Sequence, residues 1–156
     1  LGGTNGMYIY SLSNPSYPEY ISEFTHWEGC DPVVVEGNYA YLTLRGGNLC
    51  GQQGSVLEVI DISNKLNPQL LASYTLENPY GLGLKDDLLF VCDGTAGLKI
   101  FDKSNPLDIQ LLAQYADIQS KDVIPLENSL IIIGDGILYQ YEYIDGGITP
   151  ISTYSF

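Results

Sequence analysis

Three cysteines, one histidine and a scatter of aspartates are the residues of this chain best suited to chemistry. Cys30 and Cys50 could close a disulfide or supply two thiolates to a metal. A single histidine, His26, and the lack of any Cys-x-x-Cys pair argue against zinc. Cys92, in "LLFVCDG", reads as a buried strand thiol rather than a nucleophile. Asp31, Asp93, Asp122 and Asp135 stand apart in the sequence. Two such acids can converge in space as the acid and base of a glycoside hydrolase, but nothing selects a pair. Calcium would need closely spaced aspartates, and no Asp-x-Asp-x-Asp loop occurs. There is no GxSxG, HExxH, phosphate loop or dinucleotide fingerprint, so neither a cofactor nor a metal is expected. Asp61 and Asp102 are each followed closely by Ser-Asn, and such short polar side chains cap turns by accepting from nearby backbone N–H groups.

Composition narrows the classes further. Six basic residues among nineteen acidic ones give a formal charge of −13. Nucleic-acid binding needs clustered cations against phosphates, so no nucleic-acid partner is expected. No apolar run approaches the roughly 18 residues of a membrane span. The longest candidate, "SLIIIGDGIL", is interrupted by Gly and Asp. The sequence opens at Leu1 inside a motif, without a signal peptide, and is expected to be the C-terminal part of a longer protein.

The elements that must position these residues repeat. "LEVIDISN" (57–64) returns as "LKIFDKSN" (98–105), and a weaker copy, "MYIYSLSN" (7–14), precedes both. Met7, Leu57, Leu98 and Leu138 align at steps of 50, 41 and 40 residues. A second register agrees with the first: an aromatic closes the following strand at Phe24, Tyr74, Tyr115 and Tyr154. A third set, "NYAYLTL", "DLLFVCDG" and "SLIIIGDG", is preceded each time by a short apolar run. Alternation, β-branched and aromatic residues, and Gly, Asn, Asp or Pro punctuation mark all of these as strands.

Four strands in about 40 residues is the signature of a β-propeller blade. The expected fold is all-β, with three full four-stranded antiparallel blades and a half blade, as part of a larger closed propeller. Residues 1–28 supply the outer two strands of one blade. Residues 29–76 form a blade carrying an insertion at 45–55, and residues 77–117 and 118–156 form two more. The remaining blades of the same propeller, or a second copy of the chain, are the partners this requires, because an open arc would leave sheet surfaces unpaired. In this topology Cys30 and Cys50 lie in loops of the same face. A disulfide between them would pin the insertion and stabilise by about 2 to 4 kcal/mol.

The blades "GSVLEVIDISNKLNPQLLASY" and "AGLKIFDKSNPLDIQLLAQY" resemble the LVIVD-repeat family, named for the strand that stands here as "LEVID" and "LKIFD". Ser11 and Glu142 occupy the motif's Asp position in the first and last copies. The segments around "CDPVVVEGNYAYLTLRGGNLCGQQGS" and "NPYGLGL" are similar to longer secreted or surface-anchored bacterial members, often lipoproteins. The resemblance implies a propeller in an extracytoplasmic location: cell surface, outer membrane or periplasm. It supplies no catalytic residue. An oxidising location also agrees with the Cys30–Cys50 disulfide.

Loops entering or leaving the inner strands gather His26, Trp27, Asp31, Arg45, Tyr80, Asp93, Asp122 and Asp135. Binding residues concentrate on loops of rigid scaffolds, and Trp and Arg are favoured anchors. Turn chemistry alone would also place Asp-Gly and Asp-Pro there. The functional expectation is a noncatalytic binding scaffold of the bacterial cell envelope that presents these loops to a protein or glycan. The alternative is a carbohydrate-active hydrolase or lyase using acids at the channel mouth.

Overall fold

The computed structural model describes residues 1–3, 6–25, 32–47, 54–145 and 147–156. All helix or strand among them is strand, arranged in four antiparallel sheets in which each strand pairs with the next in sequence. The first sheet holds β1 (Gly2–Gly3), β2 (Gly6–Ser11) and β3 (Glu19–Thr25). The second holds β4 (Val33–Glu36), β5 (Tyr39–Leu44), β6 (Val56–Asp61) and β7 (Gln69–Thr75). The third holds β8 (Leu82–Lys85), β9 (Leu88–Cys92), β10 (Leu98–Asp102) and β11 (Gln110–Tyr115). The fourth holds β12 (Asp122–Pro125), β13 (Ser129–Gly134), β14 (Ile137–Ile144) and β15 (Gly147–Ser155). These are propeller blades, three of them with four strands. To the two strands expected in residues 1–28, the structure adds the two-residue β1, which pairs Gly2 with Met7 and Gly3 with Gly6. No helix among the described residues is long and apolar enough to cross a membrane.

The chain divides into two compact units, Leu1–Thr75 and Leu76–Phe156. In the first, Met7, Ala40, Leu42, Leu44, Ile60 and Ile62 form the core, with Phe24 packed against it. In the second, Phe90, Cys92, Leu98, Ile100, Ile118, Val123, Leu130, Ile132 and Ile148 form the core, with Tyr115 against it. Middle strands such as β5 and β9 are buried along nearly their whole length, as runs like "LLFVC" require, because both of their faces are covered. Outer strands such as β7 and β11 are largely exposed or half-buried.

The repeated Asp-x-Ser-Asn phrase is a turn device. Asp61 Oδ1 accepts from the Ser63 N–H at 2.7 Å, and Asp102 Oδ1 accepts from the Ser104 N–H at 2.8 Å. Both carboxyls are held below the ordinary carboxylate value, Asp61 by the Ser63 hydroxyl first and then its N–H, Asp102 by the Ser104 N–H first and then its hydroxyl. Asn64 and Asn105 then accept from the Leu66 and Leu107 N–H groups, each at 3.2 Å. In the first copy Ser11 does the work of the aspartate, accepting from the Ser13 N–H at 3.3 Å.

The repeats also share a β-bulge. The outer strand skips one residue against its partner in all four sheets, at Ile21, Leu71, Leu112 and Ile151. An extra residue in one strand of a pair bends it and increases its twist. Pro150, in β15, fits beside this irregularity because Pro is tolerated at bulges. Gly97 precedes β10 at φ +86, and a Cβ there would meet the Tyr115 carbonyl oxygen at 2.0 Å. Gly6 holds the matching place before Met7, where a Cβ would meet the Phe24 oxygen at 2.1 Å. Glycine therefore lets the outer strands β3 and β11 close onto the starts of β2 and β10.

One blade departs from the plan. Between their last two strands the first three sheets use residues 12–18, 62–68 and 103–109 as connections. In the fourth sheet Ile144 at the end of β14 pairs directly with Gly147 at the start of β15.

Candidate functional site

In the Leu76–Phe156 unit, the loops before β8 and β12 and the turns after β9 and β13 meet at one end of the third and fourth sheets. An isolated bridge between Gly94 and Ser120 ties the two sheets together there. Gly81 lies so near Asp122 that a Cβ would come within 2.1 Å of its Oδ1, so only glycine permits this approach of β12 to β8. The Gly81 N–H donates to the Lys121 carbonyl at 2.9 Å. The loops are thereby tied to one another by backbone contacts.

Between them lies a depression of about 90 Å³ lined by Asn78, Tyr80, Thr95, Gln119, Lys121 and Asp135 among others. The Lys121 ammonium sits 5.9 Å from the centre of the Tyr80 ring and is ion-paired with Asp135. The Tyr80 hydroxyl accepts from Asn78 Nδ2 at 3.4 Å. Ser120 is buried at this place, beside the Cys92 thiol, which burial pushes up to about 12. An aromatic face, an ammonium, a carboxylate and several amide or hydroxyl groups are thus gathered in one spot. They can stack on a flat apolar surface and hydrogen-bond to hydroxyls, carboxylates or amides around it.

Of the residues singled out in the sequence, Tyr80 and Asp135 line this depression, and Asp122 follows Lys121 at the start of β12 with its side chain against Gly81. Asp93 has another task. It is fully buried, with no exposed surface, and accepts from the Glu77 N–H at 3.0 and 3.1 Å and from the Asn78 N–H at 2.8 Å. It also binds the Lys99 ammonium at 2.6 Å. Asp93 therefore holds the loop that carries Asn78 and Tyr80, and is enclosed away from any ligand. Arg45 lies in the other unit at the end of β5, half-buried at the base of the insertion. There the Gly46 N–H donates to Ser55 Oγ at 3.2 Å. His26, Trp27, Asp31, Cys30 and Cys50 lie outside the described residues.

Sequence reasoning missed Lys121, the residue next to Asp122. Its signal was scarcity: in a chain with only six basic residues, one placed in an inner-strand loop is worth weighing. Asn78, Thr95 and Gln119 carried no signal beyond their loop positions. Among the described residues, no group of three or more His, Cys, Asp or Glu side chains is placed to hold a metal ion.

The fold is similar to solved structures from unrelated sequences. A chain from the S. cerevisiae complex of a Dbp5 variant bound to Nup159, a Gle1 variant, IP6 and ADP superposes with a TM-score of 0.56 at 14% identity, covering 94% of this chain and 35% of that one. The crystal structure of the N-terminal domain of Nup159 superposes with a TM-score of 0.51 at 14% identity, covering 85% and 34%. The chain thus spans about a third of the length of these solved chains. At this identity the likeness is one of fold alone. None of the curated proteins matches the sequence. The LVIVD repeat family model matches residues 30–76 and 81–117, more than half of the chain and the stretch that contains both "LEVID" and "LKIFD". The chain belongs to the LVIVD-repeat family.

Proposed function

We propose that this repeat scaffold is a noncatalytic binding module of the bacterial cell envelope, presenting the loops of one propeller face to a protein or glycan. The observation that carries the reading is the Tyr80–Lys121–Asp135 depression, where polar and aromatic groups converge on loops fixed by backbone bonds and by the buried Asp93. Preorganised loops of this kind lose little entropy on binding. The protein arm of the proposal is supported by the S. cerevisiae structural neighbour, whose complex holds several bound proteins. Further blades of the same propeller, or a second copy, complete the ring, and the chain's coverage of about a third of its structural neighbours agrees with this. The extracytoplasmic location and a Cys30–Cys50 disulfide belong to the same proposal. Mass spectrometry under non-reducing conditions would show the disulfide as a linked peptide pair.

The test is a screen of the intact chain against arrayed glycans and envelope proteins, repeated with Tyr80→Ala and Lys121→Ala. A ligand whose binding falls about tenfold or more in both variants supports the reading, since truncating a central anchor commonly costs over 1 kcal/mol. Ligands that bind both variants as well as the parent would overturn it. Polysaccharide turnover abolished by Asp122→Asn would replace it with the hydrolase reading.

A further inference from the structure

The opposite end of the third and fourth sheets carries a second opening, larger and of different character. It is a cleft of about 440 Å³ whose walls include Leu88, Phe90, Ile100, Leu112, Tyr143 and Ile144, with Lys85, Asp86, Glu127 and Asn128 around it. This volume lies within the usual range for ligand pockets, about 300 to 1,000 Å³, and accommodates one or two large side chains. The cleft coincides with the blade that breaks the repeat. Where the other sheets place a seven-residue connection, residues 103–109 in the third, the fourth has the short turn after Ile144, and both Ile144 and Gly147 line the opening.

The walls are held in place. The Tyr143 hydroxyl donates within reach of the Leu126 and Ser129 carbonyls, at 3.2 and 3.0 Å, which fixes its ring against the β12–β13 turn. The Lys85 ammonium lies 5.4 Å from that ring's centre and is bound by the Asp86 carboxylate at 2.8 Å. The Lys103 ammonium donates to the Asp86 carbonyl. Both nearby cations are therefore engaged. Asp87, Glu127 and Asp145, on the three turns at this end, form no ion pair among the described residues. Leu112, the bulge residue of β11, is 53% exposed at the cleft, and Ile144 is equally open.

An apolar interior with an acidic mouth selects its occupant by chemistry. Burial of a large side chain supplies the attraction, while the carboxylates favour cations and repel acidic segments. We propose that this cleft is an anchor site for a segment of a partner protein in which a large aliphatic or aromatic side chain is flanked by lysine or arginine. The site is separate from the Tyr80–Lys121–Asp135 depression, at the other end of the same strands.

The experiment is panning of the intact chain against a phage-displayed library of random linear dodecapeptides, with the parent, Leu112→Arg and Glu127→Lys proteins in parallel. Both substitutions fall on exposed side chains, and circular dichroism spectra matching the parent would confirm that the variants fold. The expected result is convergence on a Leu, Ile, Phe or Trp next to Lys or Arg. Affinity of the enriched peptides should fall about tenfold with Leu112→Arg, as expected from lost burial of one large side chain, and fall also with Glu127→Lys. No convergence, convergence on acidic or wholly polar sequences, or enriched peptides that bind both variants like the parent would overturn the proposal. Retention of that binding in Tyr80→Ala shows that the two sites are separate; its loss there would overturn the assignment to this cleft.

Discussion

Replacing Asp93 by alanine should be among the most destabilising single changes in this chain, although the residue sits in an Asp-Gly turn. Its carboxylate is fully enclosed and takes the Glu77 and Asn78 N–H groups as well as the Lys99 ammonium, whose own side chain is only 12% exposed. Alanine leaves two backbone donors and a nearly buried cation without an acceptor. Breaking a buried pair by removing one partner costs about 3 to 5 kcal/mol, because the remaining charge is uncompensated. Asparagine keeps an oxygen for the backbone donors but gives up the charge, and should cost about 2 kcal/mol. Adding Lys99→Met to Asp93→Asn removes the stranded cation, so the double variant should be about 1 kcal/mol or more better than the sum of the singles. Urea unfolding followed by far-ultraviolet circular dichroism measures the parent, Asp93→Ala, Asp93→Asn, Lys99→Met and the double variant. A loss below about 1 kcal/mol for Asp93→Ala would refute the claim that this carboxylate anchors the loop. So would strict additivity of the two other changes.

Tyr115 in β11 accepts the Ile148 N–H at 2.9 Å, a bond that joins the third sheet to the fourth. Tyr115→Phe should therefore cost about 1 to 3 kcal/mol in urea, because the N–H of a buried residue loses its acceptor. Tyr154→Phe, at the same repeat position but 66% exposed, should change stability by less than about 0.5 kcal/mol. Cys92, its thiol pushed up to about 12 by burial first and by the charge of Asp122 as well, should resist thiol-specific labelling at pH 8. Its labelling rate should rise with urea in step with unfolding; fast labelling in native buffer would contradict its burial. The Asp61 and Asp102 carboxyls are held below the ordinary 3.8, chiefly by their bonds with Ser63 and Ser104. A depressed folded value means these groups add stability above their unfolded value, and that this contribution is lost as the pH falls through the folded value. Carbon-13 titration of the two carboxyls should give midpoints below 3.8, and a midpoint at or above it would count against the turn bonds.

Much of the scaffold was legible because each blade repeats its own short-range chemistry. "DISN" and "DKSN" announce a capped turn through residues two apart, and the structure makes those bonds at Ser63 and Ser104. The site was less legible, for a physical reason that Asp93 and Asp135 make plain. Both precede a glycine of positive φ at the end of a strand, so local sequence assigns them the same place. One is buried and the other open, because the Glu77–Asn78 backbone and Lys99 converge on Asp93, whereas Asp135 meets the ammonium of Lys121 at the surface. That difference is set by loop contacts across sequence and by no pattern within either turn. The bulges at Ile21, Leu71, Leu112 and Ile151 were hidden likewise, since strand pairing rather than side-chain type reveals them. β1 escaped notice because two glycines carry no side-chain alternation to read. Function in this chain should be sought where a repeat departs from its copies. The short hairpin at Ile144 opens an apolar cleft at one end of the last two sheets, and Lys121, which no other copy's loop matches, supplies the cation at the other.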